Sequence, residues 1–179
     1  MIPRARPAAG DAAAAGSRPV DHGHYRRTMG HVPTGVAVVT AVHDGLPAGL
    51  TVGSFTSVSL DPPLVAFTVI RAARSWPSIE AAGAFCVNVL ADDQLELCRL
   101  FSSRETAKFR DLRWRPASSG APILEGVLAW VDCETEQVHE AGDHHLVIGR
   151  VRELDVARTA GPLVFYRGGY GRVESGERR

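Results

Sequence analysis

The residues best suited to chemistry lie in GLTVGSFTSVSLDPP, Gly49 to Pro63, where Thr51, Ser54, Thr56, Ser57 and Ser59 stand among Val52, Phe55 and Val58. As one continuous strand this stretch puts Thr51, Gly53, Phe55, Ser57 and Ser59 on one face and Val52, Ser54, Thr56 and Val58 on the other. Neither face is cleanly apolar. Such a strand either runs exposed into an Asp-Pro turn or grips something polar through its hydroxyls and backbone N–H groups.

Other chemistry-bearing residues are sparser. Arg74 and Ser75 precede a short helical pattern with Pro77 in its first turn, a place where a helix N-terminus can meet a phosphate. The run His139-Glu140-Ala141-Gly142-Asp143-His144-His145 is rich in metal-ligand types, but it spans a Gly-containing turn and offers no rigid face with ligand spacing, so no metal site is expected. It reads instead as a hairpin turn carrying a functional histidine, or as a polar loop. The segment Arg167-Gly168-Gly169-Tyr170-Gly171-Arg172 occurs once and suits a C-terminal strand ending in a Gly bend better than an RNA-binding repeat.

No Gly-rich dinucleotide fingerprint opens a helix, and no Ser, Cys or Thr sits in a nucleophile motif. What remains is chemistry carried by a cofactor, which the protein need only bind, orient and tune. Hydride transfer through a flavin is such a case. The Thr51 to Ser59 segment would bond its pyrimidine edge and ribityl chain, and Arg74 with Ser75 its phosphate.

The elements that must position these groups come from a chain of 179 residues, 45% hydrophobic and 22% charged, enough for one domain with a core. The formal net charge is zero with acids and bases interspersed, which argues against nucleic acid or an anionic membrane as partner. Cys86, Cys98 and Cys133 are odd in number and set in apolar surroundings, as expected of reduced core thiols in a cytoplasmic protein. No run of about 18 apolar residues is present to cross a bilayer. Residues 1–21 and 174–179 are expected to be disordered tails flanking one domain, 22–173.

Within that domain, His24 to Val32 predicts a short amphipathic helix with Tyr25, Met29 and Val32 on one face. Val36 to Val42 is a strand, and Asp44-Gly45 a hairpin turn leading into the hydroxyl-rich stretch. With Leu64 to Ile70 as a third strand, an antiparallel meander follows. Ser75 caps a short helix that ends at Gly83, Phe85 to Leu90 is a strand, and Asp92 opens a longer helix with Leu95, Cys98 and Phe101 along one stripe. Loop follows as far as Pro122. Val127 to Glu140 and Leu146 to Leu154 form a long hairpin, and Pro162 to Tyr170 a last strand. Roughly seven strands with two or three inserted helices predict a mainly antiparallel β protein, a small closed or partly open barrel.

Taken together and in order, Pro33-Thr34-Gly35-Val36-Ala37-Val38-Val39-Thr40, GLTVGSFTSVSLDPPLV from Gly49, Phe85-Cys86-Val87-Asn88-Val89-Leu90, Gly142-Asp143-His144 and Pro162-Leu163-Val164-Phe165-Tyr166 resemble the short-chain flavin reductase family, over about residues 24 to 173. The resemblance implies an FMN-binding split β-barrel, a homodimer, that uses NADH or NADPH to reduce free FMN or FAD. Reduced flavin then passes to a separate flavin-dependent monooxygenase. By motif, Thr51, Val52, Gly53 and Ser54 would contact the isoalloxazine, and Ser57, Val58 and Ser59 the ribityl chain and phosphate. Arg74 and Ser75 would hold the phosphate, and Thr34 would lie near the ring. Phe101 and Lys108 are further candidates near the ring and phosphate, and His144 would meet the nicotinamide nucleotide.

Two positions depart from the family pattern. Gly53 stands where many relatives carry Asn, and His145 where Thr is commoner. A flavin-binding carrier or sensor without turnover is the alternative on the same barrel. A pyridoxamine-phosphate-oxidase-like enzyme is a third reading.

Overall fold

The computed structural model describes residues 20–173, so most of both expected tails lies outside the described residues. The chain begins with α1 (His22–Met29), capped by the Asp21 carboxylate, which accepts from the His24 N–H at 2.9 Å. None of its residues is buried, and the face expected to pack inward leaves Tyr25 57% and Met29 47% exposed. β1 (Thr34–Gly35) follows. β2 (Ala37–His43) and β3 (Leu46–Val52) form the expected hairpin, and Asp44 and Gly45 take φ of 50° and 75°, the paired positive values that a two-residue primed turn requires.

The continuous strand expected through Ser59 does not form. β3 stops at Val52, residues 53–55 cross over, and β4 (Thr56–Leu60) makes a second hairpin with β5 (Pro63–Ile70). The break has a visible cause: Ser54 Oγ accepts from Thr68 N–H at 2.8 Å and donates to Thr68 C=O at 3.1 Å. One hydroxyl thus takes the place of a strand partner, the kind of side-chain competition that makes Ser weak inside ladders.

α2 (Trp76–Ala82) carries Pro77 in its first turn and ends at Gly83 with φ 67°, but the Ser75 side chain makes no capping bond, contrary to expectation. β6 (Ala84–Val89) leads to α3 (Leu95–Ser102), which starts after Gln94 rather than at Asp92, because the Gln94 carboxamide accepts from Ala91 N–H at 3.0 Å and holds a turn there. Cys98 and Phe101 are buried along its stripe. The region read as loop contains a small hairpin, β7 (Trp114–Pro116) and β8 (Pro122–Leu124), whose strands are too short to show a period. Buried Asn88 locks it on: its side chain donates to Pro122 C=O at 3.1 Å and accepts from Leu124 N–H at 2.8 Å.

β9 (Ala129–Ala141) and β10 (His144–Val156) are the long hairpin. The last expected strand is instead a hairpin, β11 (Leu163–Tyr166) and β12 (Gly169–Arg172), turned at Arg167 and Gly168, and β11 also pairs with β1.

Seven strands join one antiparallel sheet in the order β3-β2-β6-β9-β10-β5-β4. The expected meander is therefore two hairpins at opposite edges of that sheet, joined only by residues 53–55. Inside it lies a core of Val39, Leu50, Phe67, Val69, Phe85, Val87 and Val147, with Trp76 and Ile79 of α2 packed in. A second cluster, including Val36, Val38, Leu90, Cys98, Phe101 and Leu163, fixes α3 and β11 outside. Burying such side chains stabilises by about 1.5–3 kcal/mol each. All three cysteines are free and buried, and burial pushes the Cys133 thiol up to about 12 and Cys86 further still.

Candidate active site

A cleft of about 740 Å³ opens where the end of β3 meets β5. Thr51, Val52, Gly53 and Ser54 form one wall and Thr68, Val69 and Ile70 another; the loop entering α2 adds Arg74 and Ser75, the end of α3 adds Phe101, and Lys108 and His144 line it too. The sheet's crossing segment is what brings these parts of the chain together. Thr34 lies just behind: its Oγ1 is 3.0 Å from the point that a Cβ on Gly53 would occupy. Ser57, Val58 and Ser59 do not line the cleft, because the break after Val52 sends them to the edge strand β4.

Two of the hydroxyls are already committed. Thr51 Oγ1 donates to Cys98 C=O at 3.1 Å, pinning α3 to β3, and Ser54 Oγ is spent on Thr68. By contrast, the N–H groups of Gly53 and Ser54 have no backbone partner among the described residues. They are the donors this wall offers a ligand, since an amide left unpaired favours any acceptor brought to it.

The charge in the cleft is positive. Arg74 and Arg104 take part in none of the ion pairs found among the described residues. Lys108 Nζ donates to Phe101 C=O at 2.8 Å, and partial burial draws its pKa below that of a free lysine. At the turn before β10, His144 Nδ1 and Asp143 Oδ1 are 2.7 Å apart, and this bond holds the Asp143 carboxyl below the usual range. The ionised carboxylate thereby takes the Nδ1–H and leaves Nε2 for another partner. His145 points elsewhere and stacks on Trp76, centroids 5.4 Å apart at 28°.

Ser102, Ser103 and Arg104 also line the cleft and were not singled out from sequence. They sit where α3 unwinds, outside any periodic pattern, and a basic residue just past a helix end near Phe101 is the one signal that marks them. No group of three metal-ligating side chains comes together among the described residues. None of the described helices is long and apolar enough to cross a membrane.

The flavin reductase like domain model matches residues 29–174. The chain is 55% identical over 153 residues to a flavin reductase of Pseudomonas putida, covering 85% of this chain and 90% of that protein. It is 44% identical over 165 residues to the flavin-dependent monooxygenase reductase subunit HsaB of Rhodococcus jostii strain RHA1, covering 92% and 84%. Among solved structures, the NADH:FAD oxidoreductase of Streptomyces globisporus C-1027 in complex with NAD and FAD fragments superposes with a TM-score of 0.82 at 34% identity, over 88% of this chain and 95% of that one. This chain belongs to the flavin reductase like domain family, the NAD(P)H:flavin oxidoreductases.

Proposed function

We propose that the protein reduces free FMN or FAD with NADH or NADPH on a split β-barrel and passes the reduced flavin to a separate flavin-dependent monooxygenase. The observation that carries this is the convergence of Thr51 to Ser54, Arg74, Lys108 and His144 on one cleft. The residues fit a flavin: unpaired Gly53 and Ser54 N–H groups suit the carbonyl-rich pyrimidine edge, and Arg74 with Lys108 suits a phosphate. When bound, the flavin supplies an acceptor at N5 for the hydride of the nicotinamide C4.

The protein's part is positioning. Gly53, bare and backed by Thr34, lets a planar ring approach the strand end closely. Phe101 gives the cleft an apolar patch, and Thr51 holds α3 so that the patch stays in place. His144, steadied through Nδ1 by Asp143, lines the cleft and would offer Nε2 to the dinucleotide. Ser75 lies beside Arg74 at the phosphate end.

A homodimer belongs to this reading. The free edge of β4, with Val58 51% and Leu60 92% exposed, is the face a second copy would cover, and Ser57 and Ser59 lie on that strand. Partnership with a monooxygenase is supported by the relative named as the reductase subunit of one. Buried free thiols suit the reducing cytoplasm.

The site is tested with Gly53→Trp. Flavin fluorescence titration should show affinity reduced by more than about tenfold, with an unchanged far-ultraviolet dichroism spectrum. Wild-type affinity in this variant would place the flavin elsewhere.

A further inference from the structure

A separate pocket of about 330 Å³ lies against the β7–β8 hairpin and shares no lining residue with the flavin cleft. Trp114, Trp130, Ile123 and Leu124 give it apolar walls. Trp130 is buried, while Trp114 keeps 38% of its surface exposed. Three charged side chains line the pocket as well, Arg113, Arg115 and Glu125. Arg113 Nε and Glu125 Oε2 are 2.5 Å apart and offset each other. Arg115 takes part in none of the ion pairs found among the described residues, and its guanidinium lies over the Trp130 ring, 5.1 Å from the centroid. Asp155, across from Trp130 in the β9–β10 register, accepts from Val156 N–H at 2.8 Å and enters no ion pair either. One cation is thus left over in a pocket walled by indoles. A protein partner buries roughly 800 Å² of each surface, whereas a concavity of this size, apolar with one placed charge, suits a molecule of one or two fused rings.

The pocket is joined to the flavin cleft by packed rings. Trp114 meets Phe109 edge-on, centroids 6.5 Å apart at 80°, and Phe109 meets Phe101 in the same manner at 5.2 Å and 77°. Phe101 lines the cleft. The chain between Phe101 and Trp114 also carries Ser103, Arg104 and Lys108, which line the cleft too, and Lys108 Nζ is bonded back to Phe101 C=O. A single connection therefore links the two places, along the chain and through side-chain contact. Its far end is β7, three exposed residues held by one short partner strand. A ring seated against Trp114 restrains it and, through Phe109, the segment that holds Lys108. Order imposed there beforehand lowers the cost of fixing Lys108 around a phosphate.

The geometry points to a binding site for a small planar aromatic carboxylate, its ring on the indole walls and its carboxylate on Arg115, whose occupation tightens flavin binding in the neighbouring cleft. The effect on flavin rests on the flavin reductase reading; the site itself does not. Naphthoate is titrated into the full-length protein while the indole N–H signals of its three tryptophans are followed by nuclear magnetic resonance, with the neutral naphthamide as control. The Trp114 and Trp130 signals should move to saturation and that of Trp76, on α2, should not. Arg115→Leu should weaken naphthoate about tenfold and leave naphthamide unchanged. Calorimetric titration with FMN should show about fivefold tighter binding when naphthoate is saturating, and by linkage FMN should tighten naphthoate by the same factor. Phe109→Leu should keep naphthoate binding and abolish that coupling. Movement of Trp76 alone, no saturable shift, or naphthoate affinity indifferent to Arg115→Leu overturns the site. FMN affinity unchanged by naphthoate overturns the coupling, and weakened FMN binding does so by placing naphthoate in the flavin cleft. Absence of FMN binding with the indole shifts intact would count against the reductase reading and not against the site.

Discussion

Lys108 shows how one side chain ties burial to function. Its ammonium is partly desolvated, so the charged form is less favoured in the fold than in the unfolded chain, and its pKa lies below the free value of 10.5. For a base shifted this way, stability rises as pH climbs through the folded pKa, while the positive charge offered to a phosphate is lost at the same step. Flavin affinity should therefore fall on the alkaline side before an ordinary lysine would titrate. In Lys108→Arg the guanidinium stays charged, and affinity measured by fluorescence titration should hold level across that range. An unchanged alkaline fall in the variant would assign it to another group. The candidate residues were legible to differing degrees. Thr51 to Ser54, Arg74, Ser75, Phe101, Lys108 and His144 meet in the cleft, whereas Ser102 to Arg104 carried no periodic signal and went unread.

At the scale of elements, the decisive feature is the break after Val52. Alternation of Ser and Thr read as one strand because a hydroxyl is ambiguous: it suits an exposed strand face and equally a backbone bond that ends a strand. The structure takes the second option at Ser54, which ties the crossing segment to β5 through both polar groups of Thr68. Ser54→Ala should destabilise by about 1–2 kcal/mol in chemical denaturation, the loss expected for this hydrogen-bonding pair. Ser57→Ala, at an exposed position on β4, should change stability by less than about 0.5 kcal/mol. Equal effects would show that the hydroxyl bridge does not hold the crossing. The hairpins at Asp44-Gly45 and Gly142 were readable because their turns demand particular residues. β7 and β8 were not, since three-residue strands have no period to detect.

At the scale of the molecule, a mainly antiparallel β domain with inserted helices was legible from strand spacing and turn chemistry. What spacing could not reveal was which strands are neighbours. β3 and β4 are adjacent in sequence and lie at opposite edges of the sheet, so the cleft between β3 and β5 is a product of long-range pairing. The helix α1 was legible from its spacing, but what its apolar side meets was not: Tyr25 and Met29 stay exposed among the described residues. The central claim is catalytic flavin reduction in that cleft. Its most direct measurement mixes the purified protein with NADH or NADPH and excess FMN or FAD in air, following absorbance at the nicotinamide band. Oxidation of many equivalents per protein, dependent on added flavin, is the expected result. Oxidation that stops at one equivalent, or none at all with either donor, would contradict it and identify a flavin carrier on the same fold.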